Sequence, residues 1–416
     1  MLNLDKKLFF FGFANGISLL FGFLLYLLVF TNSDQNLAKF MFGYSIHLIL
    51  GSILTFGSNL YIFNDLCSKN NFAEKTIILE KNLFFIIVIL SFSMFVVSFL
   101  SILDYFFSPY KKNFNLNLYP FFFTALLFAF NKILYFCFLG FKFFKYCYIV
   151  IIFRPVVIFF TISIFIFFNN FTFEIAIITS FIICEVLVFL FSITRLKNIL
   201  PINFKLFKNN YKIKVLNSVK LFGEYIFAEI IMKVDIFFSM LKFELKNIAI
   251  YLTALIFIEG LLTFTIVIRN YFSSQFGVLI LEKNYSAYIK KFKKYSIYSL
   301  ITSIFFMLCS VLTLLMINKY LIEVNFLVFK YFGIIIAGYL VYSYFAVSEL
   351  MFLNNKNYLK QTLYFIFAII TQVSVILLLI NDLGILSFSI AIFSMYLVMS
   401  VFILIELVKI NLNYIR

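Results

Sequence analysis

Long apolar runs separated by short polar breaks dominate the chain. A helix that crosses a bilayer needs about 20 consecutive apolar residues. Twelve stretches meet that length: 8–30, 40–63, 82–103, 118–140, 146–168, 173–194, 221–241, 248–268, 295–317, 326–350, 362–380 and 385–408. Most read as uniformly apolar helices. Residues 40–63 differ, because Gly, Ser and Asn interrupt the run, a pattern that suits a helix beside a polar cavity. Residues 221–241 differ more, because Glu224, Glu229, Lys233 and Asp235 fall inside one predicted span. An ionisable group in hydrocarbon costs ~2.5–3.5 kcal/mol on insertion scales, so it faces a protein interior or water. An inert anchor does not account for four of them.

Composition points the same way. Of the 416 residues, 64% are apolar and 12% charged, against roughly 45–50% and 25% in soluble domains. No soluble fold of this length covers such a surface, so the expected class is an all-α polytopic membrane protein. The run 8–30 follows Lys6 and Lys7 but is too long for a signal-peptide core and lacks a small-residue cleavage pattern, so it reads as the first span. The 65 Phe and 26 Tyr, with no Trp, accompany abundant Ile, Lys and Asn. Such a bias makes runs like Phe121–Phe123 lipid-facing filler. The five cysteines form no CxxC pair and read as small apolar fillers. His47, the one histidine, reads as a packed or lumen-facing residue. Neither a metal site nor a cofactor is expected.

The net charge of +16 raises the possibility of a nucleic-acid partner, but the distribution of that charge argues against it. Of the 34 Lys and Arg, 24 lie in the N-terminus, the even-numbered connections and the C-terminus, and six in the odd-numbered connections. The other four, Lys132, Arg154, Lys233 and Lys330, lie inside spans. Positively charged loops stay on the cytoplasmic side, which places both termini there. The longest inner connection, 195–220, holds seven basic and no acidic residues. It orients the chain and attracts anionic headgroups. It also divides the chain into a six-span half, 1–194, the linker 195–220 and a second six-span half, 221–416. Both halves begin inside, so a repeat between them would be parallel. Lys7-Leu8-Phe9 and Lys220-Leu221-Phe222 are a faint echo of one.

Depth follows from the helical rise. Lys132, Arg154, Glu185 and Glu259 each lie eight or nine residues from the inner end of their predicted span, or ~12–14 Å at 1.5 Å per residue. Together they make a charged layer just inside the midplane. Two readings of Lys132, Arg154 and Lys233 stand side by side. One is an anion site, since Arg offers a planar fork for phosphate oxygens and Lys a point charge. The other is internal pairing with Glu185, Glu229 and Glu259. In a continuous helix, Glu229 and Lys233 are an acid-before-base pair four residues apart. Glu224 and Asp235, eleven apart, share another face. Asp235 then has no partner in its own helix and needs one from another helix or water. Arg269, Lys330 and Glu349 read as interfacial. Pro155, next to Arg154, predicts a bend, and Gly12–Gly16 has the GxxxG spacing of close helix packing. No Walker A, GxSxG or HExxH constellation stands in a loop, so an enzyme or ATP-driven machine is not expected.

The layout resembles the Wzx-type O-antigen and polysaccharide flippases of the multidrug/oligosaccharidyl-lipid/polysaccharide exporter superfamily. The local likeness lies in Lys233-Val-Asp235-Ile-Phe-Phe and in Asn247-Ile-Ala-Ile-Tyr251-Leu-Thr-Ala254, similar to the family's span 7 aspartate and the start of its span 8. The family has a Gly soon after the aspartate, where this chain has Ser239 and Met240. The resemblance implies a MATE-like fold of two six-helix halves around a central cavity. It implies a flippase in the bacterial cytoplasmic membrane, carrying undecaprenyl-pyrophosphate-linked oligosaccharide from the inner to the outer leaflet by alternating access. Lys132, Arg154 and Lys233 would bind the diphosphate. Asp235, Glu224 and Glu259 would couple transport to H+ or Na+. Membrane lipids and a polysaccharide polymerase would be partners. An O-antigen polymerase is a competing reading, but such proteins carry a large outer loop with catalytic arginines, and here the longest outer loop has 14 residues and only lysines. A drug or ion antiporter of the same superfamily is another, and acidic residues in the first half would favour it. Spans 1–5 contain no Asp or Glu. A non-transporting scaffold would not need the buried charges.

Overall fold

The computed structural model describes residues 2–67, 71–107, 119–168, 172–197, 211–282, 284–320, 325–349 and 358–415. These form helices and turns only. The order is α1 (Leu2–Asn32), α2 (Asp34–Ile53), α3 (Ser58–Cys67), α4 (Phe72–Phe107), α5 (Tyr119–Gly140), α6 (Phe144–Phe168), α7 (Phe173–Lys197), α8 (Tyr211–Ile231), α9 (Val234–Lys242), α10 (Leu245–Leu281), α11 (Tyr285–Tyr320), α12 (Phe326–Phe345), a 3-10 turn (Ala346–Ser348), α13 (Tyr358–Leu383) and α14 (Leu386–Ile415). Ten helices are long and apolar enough to cross a membrane, or up to eleven if the bent pair α2–α3 counts as one span. The sequence predicts twelve. The missing one is 221–241, which the turn at Met232–Lys233 splits into α8 and α9.

The chain forms two compact units, Met1–Glu229 and Ile230–Arg416. The division falls near the end of α8, because α8 packs on the first unit. In that unit α1 lies on α6, α2 on α5, and α7 on both α5 and α6, with α4 against α3 and α5. In the second unit α9 lies on α13, α10 on α12, and α14 on both α12 and α13, with α11 against α10 and α12. The order of pairing is the same in both, as a parallel repeat requires.

The first unit is organised around the break between α2 and α3, where the helix axis turns by 57°. Gly, Ser and Thr at 51–58 weaken the helix, and the backbone groups released by the break are bonded from the side. Ser93 donates to Leu54 O at 2.6 Å, Ser58 donates to Thr55 O at 2.6 Å, and Ser218 of α8 donates to Phe56 O. Phe56 has φ +46° and Gly57 φ +70°, the left-handed region that a Cβ disfavours. Phe56 is held there by its ring, stacked on Phe222 at 5.4 Å. A Cβ on Gly57 would lie 2.4 Å from Ser218 O, so only glycine lets α8 approach.

Two local expectations change. Phe121 and Phe122 are buried and only Phe123 is exposed, because Gly43 leaves a notch that the Phe121 ring fills. Nothing approaches within 4 Å of a Cβ placed on Gly12 or Gly16, so the GxxxG spacing does not mark a close helix contact. α6 runs through Pro155 as one helix. The substitution Gly57→Ala combines a left-handed φ with a backbone overlap, and we expect it to cost ~1–3 kcal/mol. Thermal unfolding of the purified protein in detergent checks this.

Candidate functional site

The first unit holds a buried charge cluster centred on Glu185 of α7. Its side chain is 2% exposed. Arg154 of α6 donates from Nη2 to Oε2 at 3.1 Å and places Nε 3.0 Å from Oε1. Asn131 of α5 donates from Nδ2 to the same Oε2 at 2.6 Å and to the Glu185 carbonyl at 2.8 Å. His47 of α2 sets Nε2 3.6 Å from Oε1. Lys132, the residue after Asn131, points elsewhere, because adjacent residues on a helix are rotated by 100°. It donates to Glu229 Oε1 of α8 and to Ser52 Oγ of α2, both at 3.0 Å.

The two cations share one ring. The Arg154 guanidinium lies 4.6 Å from the centre of Phe128 and the Lys132 ammonium 5.2 Å. Their charged ends are therefore under 10 Å apart, the two distances laid end to end. Both are cation–π contacts. Arg154 keeps 24% of its side chain exposed, while its carboxylate partner is enclosed. A cation accessible on one side and anchored from behind can take a second anion.

The second unit holds a different cluster. Lys233, in the turn before α9, donates to Glu259 of α10. Asp235, in the first turn of α9, accepts from the Tyr251 hydroxyl of α10. A carboxylate in a first turn also faces the positive end of the helix dipole. Its Oδ1 accepts no hydrogen bond among the described residues. Asp235 and Glu259 line a cavity of about 10 Å³ together with Met232, Met395 and Tyr396, roughly the room one water needs. Among the described residues, no group of three His, Cys, Asp or Glu is placed to hold a metal ion.

These contacts revise the helical count of 221–241. Glu229 and Lys233 do not pair. The turn at Met232–Lys233 breaks the i,i+4 register, and each residue reaches a different neighbour, Lys132 and Glu259. The same turn means that one 100° count does not carry from Glu224 to Asp235. The Glu224 side chain lies outside the described residues. Asp235 does find its partner on another helix, and Lys132, Arg154 and Lys233 all sit in ion pairs with the three glutamates weighed in the pairing reading.

The chain also contains a pair the sequence reading placed at the interface. Arg269 of α10 donates to Glu349, which is 2% exposed and also accepts from Tyr342 at 2.7 Å and Tyr364 at 3.4 Å. Opposite charges at the inner ends of predicted spans 8 and 10 were the available signal. His47 and Asn131 were missed as members of the Glu185 cluster. Asn131 could have been found as a polar residue beside Lys132 in an otherwise apolar run.

No protein-family model matches the chain, and no curated protein matches it by sequence. Solved structures do match over nearly its whole length. An inward-facing multidrug resistance MATE transporter of the MOP superfamily superposes with TM-score 0.67 at 13% identity, covering 96% of this chain and 95% of its own. A MATE protein in complex with MaD3S gives 0.68 at 13% identity, covering 99% and 97%. A MOP superfamily transporter from Pyrococcus furiosus, for which reverse polarity of the binding pocket suggests a different function, gives 0.66 at 13%, covering 98% and 97%. The fold is that of a MATE transporter. This is a multi-pass membrane protein of all-helical, MATE-like architecture.

Among the described residues, Tyr251 is the one side chain that donates to Asp235. Tyr251→Phe removes that donor and leaves a buried acid less satisfied, at a cost of ~1–3 kcal/mol. A double-mutant cycle with Asp235→Asn, followed by thermal unfolding, is expected to show that the two losses do not add.

Proposed function

We propose that the chain is a Wzx-type flippase of the bacterial cytoplasmic membrane, with both termini cytoplasmic. It moves an undecaprenyl-pyrophosphate-linked oligosaccharide from the inner to the outer leaflet by ion-coupled alternating access, and it hands the lipid-linked sugar to a polysaccharide polymerase. The observation that supports this reading best is the cation pair around Phe128. Arg154 offers a planar fork and Lys132 a point charge, close enough to engage one diphosphate. Each is balanced by a glutamate in the structure, so the site is neutral without substrate and does not hold a bare charge in a low-dielectric interior. Lys233, in the second unit, has its own glutamate, Glu259.

Coupling to H+ or Na+ falls to Asp235 and Glu259, which share a small cavity, and to Glu224. Asp235 has a hydroxyl partner and, among the described residues, no lysine or arginine ion pair, and an acid in that state is suited to take up a mobile cation. The Pyrococcus transporter with reverse pocket polarity is a precedent for a MOP fold whose pocket charge departs from its relatives. A drug or ion antiporter has the same fold. The cations of the first unit weigh against cationic drugs as cargo.

The test is translocation of a fluorescent polyprenyl-pyrophosphate-linked disaccharide by the full chain in proteoliposomes. Arg154→Ala and Lys132→Ala are each expected to lower the rate at least ~10-fold, the loss of one charge-assisted contact, with normal insertion. Full retention in the double variant overturns the reading. In the same vesicles an imposed pH or sodium gradient is expected to drive transport by the native chain. In Asp235→Asn the rate becomes indifferent to the gradient, and an unchanged gradient response removes Asp235 from coupling.

A further inference from the structure

His47 sits between a hydroxyl and a carboxylate. His47 Nδ1 lies 3.1 Å from Thr124 Oγ1, and Thr124 donates its own hydroxyl to Phe121 O at 3.0 Å. With the Thr124 hydroxyl on Phe121 O, the Thr124 oxygen is the acceptor of that contact and Nδ1 carries the hydrogen. In the neutral ring the other nitrogen, Nε2, is then an acceptor. It faces Glu185 Oε1, also an acceptor, at 3.6 Å. Both groups are almost fully buried, and two lone pairs directed at one another in such a place leave room for a proton between them. The ring is clamped in this pose by Phe181, stacked at 5.1 Å, and by the edge of Phe128 at 4.8 Å.

We infer that His47 and Glu185 form a proton-binding site in the first unit, and that its occupancy sets how tightly Arg154 is held by Glu185. This rests on the proposed function for its consequence, since the anion that a loosened Arg154 would take is the diphosphate of the substrate. The proton enters from water, binds Nε2 and makes the ring a donor to Glu185 Oε1. The cluster of His47, Glu185 and Arg154 passes from neutral to singly positive. Oε1 is the oxygen that Arg154 Nε also approaches, so imidazolium and guanidinium compete for it. The charged and titratable groups facing His47 are Glu185 on α7, Arg154 on α6, Lys132 on α5 and Tyr44 on its own helix, stacked at 6.4 Å. Glu185 is the one carboxylate among them. Lys132 is engaged with Glu229, which limits the positive field it adds. The consequence is that a proton and a phosphate anion bind the first unit together.

The chain has one histidine and four arginines, so nitrogen-15 labelling of both residue types in the full-length protein in nanodiscs resolves the site directly. On acidification the single imidazole signal is expected to move from the Nδ1–H tautomer to imidazolium, and the Arg154 guanidinium signals, assigned through Arg154→Lys, move with it. In Glu185→Gln the two no longer move together. An imidazole that stays neutral throughout, or guanidinium signals indifferent to it, overturns the inference without any variant. A second arm measures farnesyl pyrophosphate affinity against pH. The native chain is expected to bind at least ~10-fold more tightly once His47 is protonated, and His47→Gln to show no such dependence. A pH dependence that persists in His47→Gln overturns the link to Arg154. If farnesyl pyrophosphate binds at no pH, the phosphate reading of the protein fails and takes that link with it, while the imidazole titration still decides the proton site.

Discussion

An ionisable side chain in an apolar interior has to find a charged or hydrogen-bonding partner on a neighbouring helix, and that requirement shapes this protein. Arg154, Lys132, Lys233 and Arg269 each meet a glutamate that lies on another element. Removing one member of such a pair strands the other, at a cost of ~3–5 kcal/mol, although the intact pair adds little net stability. The pairs therefore specify which helices are neighbours more than they hold them together. Arg154 and Glu185 tie α6 to α7, Lys132 and Glu229 tie α5 to α8, and Arg269 and Glu349 tie α10 to the turn after α12.

The helix breaks follow from the same demand. Glu229 and Lys233 could neutralise each other on one straight helix. Instead the chain turns at Met232–Lys233, Glu229 is drawn to α5 and Lys233 to α10, and the boundary between compact units falls between them. The α2–α3 break works differently. There the exposed carbonyls of Leu54, Thr55 and Phe56 are bonded by serine hydroxyls, and Gly57 admits the backbone of α8. Both breaks put polar backbone at places that a continuous helix would have sealed.

Span positions were legible because a 20-residue apolar run has one physical meaning in a chain this hydrophobic. The irregular second span was legible too, through Gly51, Gly57 and Asn59. Pairing was legible as a set but not as assignments. Glu185 and Glu259 could be named from depth and Glu229 from the charges within its own span, yet which acid meets which base depends on how helices are rotated about their axes, and a uniform 100° count fails where the helix turns. Arg269 and Glu349 were read as interfacial because each lies near a span end, and only tertiary packing brings four helical elements together around Glu349. His47 was left as packing because its chemistry comes from Glu185, 138 positions along the chain.

The two clusters differ in a way that bears on how work could be divided between them. In the first cluster the two cations are matched by two carboxylates, and His47 can add a positive charge. In the second, Lys233 and Glu259 cancel and Asp235 is left with a hydroxyl, so the cavity that Asp235 and Glu259 line carries a surplus acid whenever Asp235 is ionised. A phosphate entering the first cluster makes it negative unless a proton accompanies it. A cation entering the second makes it neutral. On the proposed function, binding of an anion together with a proton in the first cluster and of a cation in the second are each favoured by local charge balance, without any one group having to serve both. On the proposed function, that separation lets the substrate exchange against Glu185 and Glu229 at little net cost, since buried ion pairs are close to break-even, while the driving ion acts on Asp235 and Glu259. A tighter grip on the cations by their glutamates would slow substrate capture, and a weaker one would leave bare charge in hydrocarbon. Arg154, 24% exposed on one side and anchored by an enclosed carboxylate on the other, sits between those limits.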